Sequence, residues 1–72
     1  MRTVKGEGDD LWWCEEDALM PVRPGYVRVF CTSRYRHLVF DAPSDWQRSW
    51  SPALLRETVL RYARLAEARR TA

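Results

Sequence analysis

Cys14, Cys31 and His37 are the side chains of this sequence that could ligate a soft metal or act as a nucleophile with its base, and their spacing suits neither task. Structural zinc sites draw paired ligands at close spacing. Here the cysteines stand seventeen positions apart and no C-x-x-C pair exists. A catalytic thiol needs a base, a group to orient that base and an oxyanion hole; nothing in the sequence marks the last two. The plainer reading is two small core cysteines and a hairpin histidine, with Cys31 on the strand face that carries Val27 and Val29. The adjacent acids Asp9-Asp10 and Glu15-Glu16 lack the glycine-shaped spacing of a calcium loop. No metal, cofactor, catalytic residue or small-molecule substrate is expected, and the chain reads as a non-enzyme.

The stretch D-D-L-W-W-C-E-E-D over residues 9–17 is the more informative constellation. It sets Trp12 and Trp13 inside five acids, Asp9, Asp10, Glu15, Glu16 and Asp17, although the chain as a whole is charged +2. In a strand the two indoles must point to opposite faces. A small two-layer domain can bury one and must leave the other at an edge or on the surface. Tryptophan is a preferred hot-spot residue, and surrounding charge steers encounter with an oppositely charged surface. These seven residues are therefore the candidate docking site for a basic protein partner. The competing reading makes both rings core.

A second constellation is S-R-Y-R-H at 33–37, where Arg34 and Arg36 interleave with Tyr35. Guanidinium groups beside a ring neutralise phosphate and stack a base, so these three are secondary candidates for nucleic-acid contact. The C-terminal segment adds Arg56, Arg61, Arg64, Arg69 and Arg70. A sequence pI near 8.8 is modest for a dedicated DNA binder, and charge runs are commonly no more than solvated faces.

The elements that must position these groups follow from pattern. Residues 1–8, with Gly6 and Gly8, read as a flexible tail ahead of a single small domain over 9–70. Leu11–Cys14 suits a brief strand, and residues 15–20 suit one helical turn ended by Pro21. Residues 23–26, R-P-G-Y, signal a turn. Val27, Val29 and Cys31 alternate with Tyr26, Arg28 and Phe30, the period of a half-buried strand, and His37–Phe40 pairs with it as a hairpin. Ser44 is placed to cap a short turn that sets Trp46 and Trp50 on one face. Ser51-Pro52 opens a helix expected to run to about Arg69, with serine at N-cap and proline where its missing N–H costs nothing. Its apolar stripe is predicted as Leu54, Leu55, Val59, Tyr62, Leu65 and Ala66, with Leu60 about 240° round the wheel and off the stripe. The fold class expected is α+β: a small antiparallel sheet, a hairpin with room for a third strand, packed by one long C-terminal helix.

Size and charge bound the rest. A 72-residue chain buries only about 60% of its unfolded surface and has little room for a substrate-sized pocket. Nine aromatic rings make a core feasible without a metal. No signal-like apolar region opens the sequence, and no apolar run approaches the roughly 18–20 residues that span a bilayer. A cytoplasmic location is expected, where a bridge between two cysteines is disfavoured. Eleven of the twelve basic residues are arginine. Residues 1–20 carry a charge of −4, residues 21–50 of +3 and residues 51–72 of +3, so an acidic front precedes a basic back.

A short, arginine-rich chain with an acidic aromatic patch resembles the small phage-encoded regulators of bacterial RNA polymerase, of the kind a Xanthomonas phage makes to inhibit initiation and promote antitermination. Length, arginine bias and charge layout carry this resemblance over the whole chain. It implies a host-takeover protein of the bacterial cytoplasm that binds the polymerase surface, and it transfers no individual functional residue. The expectation is a non-enzymatic transcription regulator docking on host RNA polymerase through the acidic aromatic patch, with nucleic acid nearby. The alternative is a small nucleic-acid-binding repressor working through the arginine hairpin and helix.

Overall fold

The computed structural model describes residues 1–17 and 22–71, with side chains described as far as Arg69. Four strands form an antiparallel meander in the order β1-β2-β3-β4: β1 Arg2–Lys5, β2 Leu11–Asp17, β3 Tyr26–Thr32 and β4 His37–Pro43. A four-residue helix α1, Trp46–Ser49, and a long helix α2, Pro52–Thr71, follow. This is the expected α+β class, with four strands in the sheet.

The expected tail is where the extra strand lies. Thr3 pairs with Trp13 and Val4 with Trp12, so β1 is an outer strand of the sheet. Val4, the one aliphatic side chain of the segment, is 5% exposed against the core. Polar composition suggested disorder, but a single buried valine and a ladder to β2 suffice to order four residues. The connection from β1 to β2 closes through Gly6 N–H to Asp10 O at 2.8 Å, with Gly8 in the left-handed region at φ 64°.

The expected helical turn at 15–20 is also corrected. Glu15, Glu16 and Asp17 continue β2 and pair with Phe30, Val29 and Arg28; the remainder of that turn lies outside the described residues. Cross-strand pairing overrides the helical preference of the glutamates.

Strand parity sorts every side chain. One face carries Val4, Trp12, Cys14, Val29, Cys31, Leu38, Phe40 and Ala42, all buried. Onto this face fold α1 and α2. Trp46 is fully buried; each of the two buried indoles removes about 150–250 Å², a gross hydrophobic gain of about 4–6 kcal/mol apiece at 25 cal/mol/Å². Phe40 stacks on Trp50 at 6.0 Å and on Tyr62 at 5.3 Å, and Trp46 meets Trp50 edge-on at 6.5 Å. The N-cap of α1 is Asp45 rather than Ser44, and Ser49 Oγ reaches Asp45 Oδ1 at 3.2 Å.

Helix α2 starts as expected. Ser51 Oγ accepts the N–H of Leu54 at 3.1 Å, and Ser51 O accepts that of Leu55 at 3.0 Å. Its buried stripe, however, is Leu55, Thr58, Val59, Leu60 and Ala63, rotated from the predicted one. Leu54, Tyr62 and Leu65 are each more than a third exposed, and Ala66 is exposed. Leu60, expected off the stripe, is 9% exposed. The reason is the sheet beneath. The helix packs on both outer strands, β1 and β4, so its contact arc is wide enough to take in Leu60. At ~1.5 Å per residue it is about 30 Å long and outruns the core, leaving every described side chain after Ala63 exposed. Thr58 satisfies its hydroxyl on Leu54 O at 2.9 Å. No helix among the described residues is long and apolar enough to cross a membrane.

Candidate docking face

No helix covers the face of the sheet opposite α1 and α2; among the described residues Arg23 packs on one end of it, its guanidinium 3.9 Å over the Tyr26 ring. Parity places Leu11, Trp13, Glu15 and Asp17 of β2 there, beside Phe30 and Arg28 of β3 and His37, Val39 and Asp41 of β4. Trp13 is 41% exposed, Phe30 41% and Val39 46%. Phe30 and His37 stack with centroids 5.8 Å apart. Large apolar side chains grouped on one open sheet face make it the candidate contact surface of the molecule. Strand charges on the face are Lys5 and Arg28 against Glu15, Asp17 and Asp41, and Arg23 over the Tyr26 ring brings the two signs into balance. Arg28 is held by Asp41 at 3.3 Å.

The seven predicted docking residues divide between the two faces. Trp13 and Glu15 lie on the open face, as does Asp17, which also has an interaction within the fold. Asp9 is exposed in the loop before β2 and has no ion-pair partner among the described residues. The other three are structural. Trp12 is 1% exposed in the core. Glu16 is on the helix side, where its Oε1 accepts the indole N–H of Trp46 at 2.8 Å. With Arg2, whose guanidinium donates to Trp50 O at 2.9 Å and lies 5.9 Å over the Trp46 ring, it fixes α1 to the sheet. Asp10 pairs with Arg36 at 3.6 Å, its side chain only 15% exposed.

Arg36 is thereby removed from the nucleic-acid candidates. Besides Asp10, it binds Glu67 at 3.1 Å and covers the Trp12 ring at 5.4 Å, so it locks the hairpin tip to the helix. The tip carries no glycine and no residue with positive φ. It closes instead through Ser33 N–H to Arg36 O at 2.8 Å and Arg36 N–H to Ser33 Oγ at 3.2 Å. Arg34 and Tyr35 are left projecting outward, with the guanidinium 5.9 Å over the ring and Tyr35 78% exposed.

The meander brings the β1–β2 loop and the hairpin tip to the same end of the sheet. Between them is an open cleft of about 570 Å³, lined by Glu7, Asp9, Asp10, Leu11 and Trp13 on one side and Arg34 and Tyr35 on the other. Acidic front and basic tip are therefore neighbours: Asp10 pairs with Arg36 of the tip, and Glu7 pairs with Arg64 of the helix at 3.3 Å. The separated charge layout read along the chain is partly neutralised in space. Asp10 Oδ1 and Trp12 Nε1 are buried without a partner among the described residues.

Sequence reasoning missed Phe30, Val39 and Leu11 as surface groups. The signal was present: once Val27, Val29 and Cys31 face inward, Phe30 must face outward.

Cys14 and Cys31 face each other across β2 and β3, both fully buried, with Sγ atoms 3.1 Å apart. The Cys31 thiol donates to Cys14 Sγ, which lowers the Cys14 pKa below that of an ordinary thiol, aided by Arg2 and opposed by burial. Donating that bond and burial push Cys31 strongly up. Among the described residues no group of three or more His, Cys, Asp or Glu is placed to hold a metal ion.

The fold and this face define a small α+β domain with a helix-packed sheet and a free aromatic surface. No family model matches the chain, and no curated protein or solved structure matches it either.

Proposed function

We propose that this chain is a non-enzymatic docking module that binds a basic protein surface through the open face of its sheet, and that its partner is host RNA polymerase in the bacterial cytoplasm. The observation that carries the reading is the set of exposed apolar side chains on one face, Phe30 and Val39 in register with Glu15, and Trp13 one rung on beside Thr32 and His37, with no ion-pair partner for Glu15 or Asp9 among the described residues. Rigid aromatics in a packed sheet lose little side-chain freedom on binding, and acidic neighbours raise the encounter rate with a cationic surface. Polymerase surfaces that face nucleic acid are basic. A protein seated there inhibits initiation, suppresses termination, or does both, and the resemblance to phage regulators supports that choice of partner.

Nucleic-acid binding is the second reading, favoured by one observation: Arg34 and Tyr35 stand at the end of the face that Trp13 and the Phe30–His37 stack continue. Rings on an open sheet stack single-stranded bases. The acids of the cleft, Glu7, Asp9 and Asp10, oppose it.

Titration of purified bacterial RNA polymerase with the labelled chain tests the proposal. Trp13→Ala, and separately Asp9→Lys with Glu15→Lys, should each weaken binding by roughly 30-fold or more, the effect of losing about 2 kcal/mol at a hot spot. Absence of binding by the parent, or unchanged affinity in both variants, refutes it. Tight binding to naked RNA that falls steeply with salt and vanishes in Arg34→Ala with Tyr35→Ala would establish the second reading.

A further inference from the structure

We infer that Cys14 and Cys31 are a redox pair built into the fold, reduced in an ordinary cytoplasmic thiol pool and closing to an intramolecular cross-strand disulfide between β2 and β3 when that pool turns oxidising. The register sets the two residues directly opposite each other. Directly opposed residues of an antiparallel pair have Cα atoms about 4.5–5.5 Å apart, inside the range a disulfide spans. Both side chains point to the core face, and their sulfurs already stand 3.1 Å apart. The bond needs an approach of about 1 Å to reach the ~2.05 Å of a disulfide, without a turn of either strand.

Two features of the molecule give the staple a purpose. A domain of 72 residues draws only a few kcal/mol of net stability from its core, and a disulfide is a common supplement at this size. The bridge would also close the segment from residue 14 to residue 31, which joins β2 to β3. A cross-link gains most when it closes a long loop.

The chemistry balances with an external disulfide as oxidant, for example oxidised glutathione. The Cys14 thiolate attacks one glutathione sulfur, forming a mixed disulfide and expelling one glutathione thiolate. Cys31 then loses its proton, and its sulfur displaces the second glutathione from Cys14. The two protein thiols are oxidised by two electrons, the glutathione disulfide is reduced to two thiols, and the two released protons end on the glutathiones. Because both sulfurs are fully buried, the exchange is completed during folding or transient opening. The staple lies on the helix side of the sheet, so it leaves the open face as it is and stands independently of the docking proposal.

The test is an equilibrium measurement on the full chain in buffers of reduced and oxidised glutathione, once under native conditions and once in denaturant. Each equilibrium is approached from both the reduced and the oxidised chain, then quenched with acid, alkylated and weighed. The bridged species is recognised by the loss of about two mass units and of both alkylation sites. If the fold supports the bridge, the effective concentration of one thiol for the other rises on folding by roughly 100-fold, the size expected for a closed loop of this length. Cys14→Ser and Cys31→Ser chains should each stop at one glutathione adduct. An effective concentration no higher in the native state than in denaturant would overturn the inference. So would a bridged chain that has lost its sheet circular dichroism.

Discussion

Trp12 and Trp13 are adjacent in sequence and opposite in role, and replacing each by alanine separates those roles by free energy. Trp12 is 1% exposed and packs against Val4 and the helix-side core. Truncating a buried tryptophan costs about 3–5 kcal/mol. At 0.05–0.15 kcal/mol per residue a domain of this length holds about 4–11 kcal/mol in total, so Trp12→Ala removes from roughly a quarter to all of the stability. At about 4–8 °C per kcal/mol the midpoint falls by at least ~12 °C. Trp13, 41% exposed, stands on the open face between its cross-strand neighbours Thr3 and Thr32 and borders the cleft. Its loss costs about 0.2–1 kcal/mol, the scale of a cross-strand pair, and a few degrees. Urea unfolding followed by far-ultraviolet circular dichroism, with both cysteines kept reduced, measures the two without relying on the indoles as reporters. Equal losses, or a Trp12→Ala chain within 1 kcal/mol of the parent, would refute the assignment of faces on which the docking proposal rests.

Other substitutions probe the remaining contacts. Glu16→Leu should cost about 1–3 kcal/mol, because it strands the buried indole N–H of Trp46; Glu16→Gln, which keeps an acceptor, should recover most of that loss in the same unfolding assay. Leu60→Ala should cost about 2–3 kcal/mol and Leu54→Ala less than 1 kcal/mol, since Leu60 is buried and Leu54 is 41% exposed. The reverse order would return the helix to the orientation its sequence periodicity suggests. A Cβ on Gly6 would lie 2.9 Å from Trp12 Nε1, so Gly6→Ala should destabilise by about 1–3 kcal/mol and change the near-ultraviolet dichroism as the indole moves. An unchanged spectrum and stability would show that the indole sits elsewhere.

Some of this was determined by the sequence alone. Alternation in Tyr26–Thr32 and the apolar run at His37–Phe40 made a hairpin, because a period of two admits only a half-buried strand. Ser51-Pro52 set the helix start, since only the first turn tolerates proline without losing a hydrogen bond. The α+β class follows from these local rules. What only the tertiary structure decided are the matters that depend on a distant partner. The segment around Val4 is a strand because β2 is there to pair with it. Glu15 and Glu16 are extended because β3 holds them; parity then puts Glu16 on the helix side, where Trp46 brings an indole N–H to it. The wheel put Leu60 outside and Leu65 inside. The sheet reversed both, since a helix touching both outer strands buries a wider arc near its middle and none beyond its edge. The same holds for the tryptophans. Parity requires that Trp12 and Trp13 point oppositely, but which of them is covered depends on the side of the sheet to which Trp46 and the long helix return, and no local rule carries that choice.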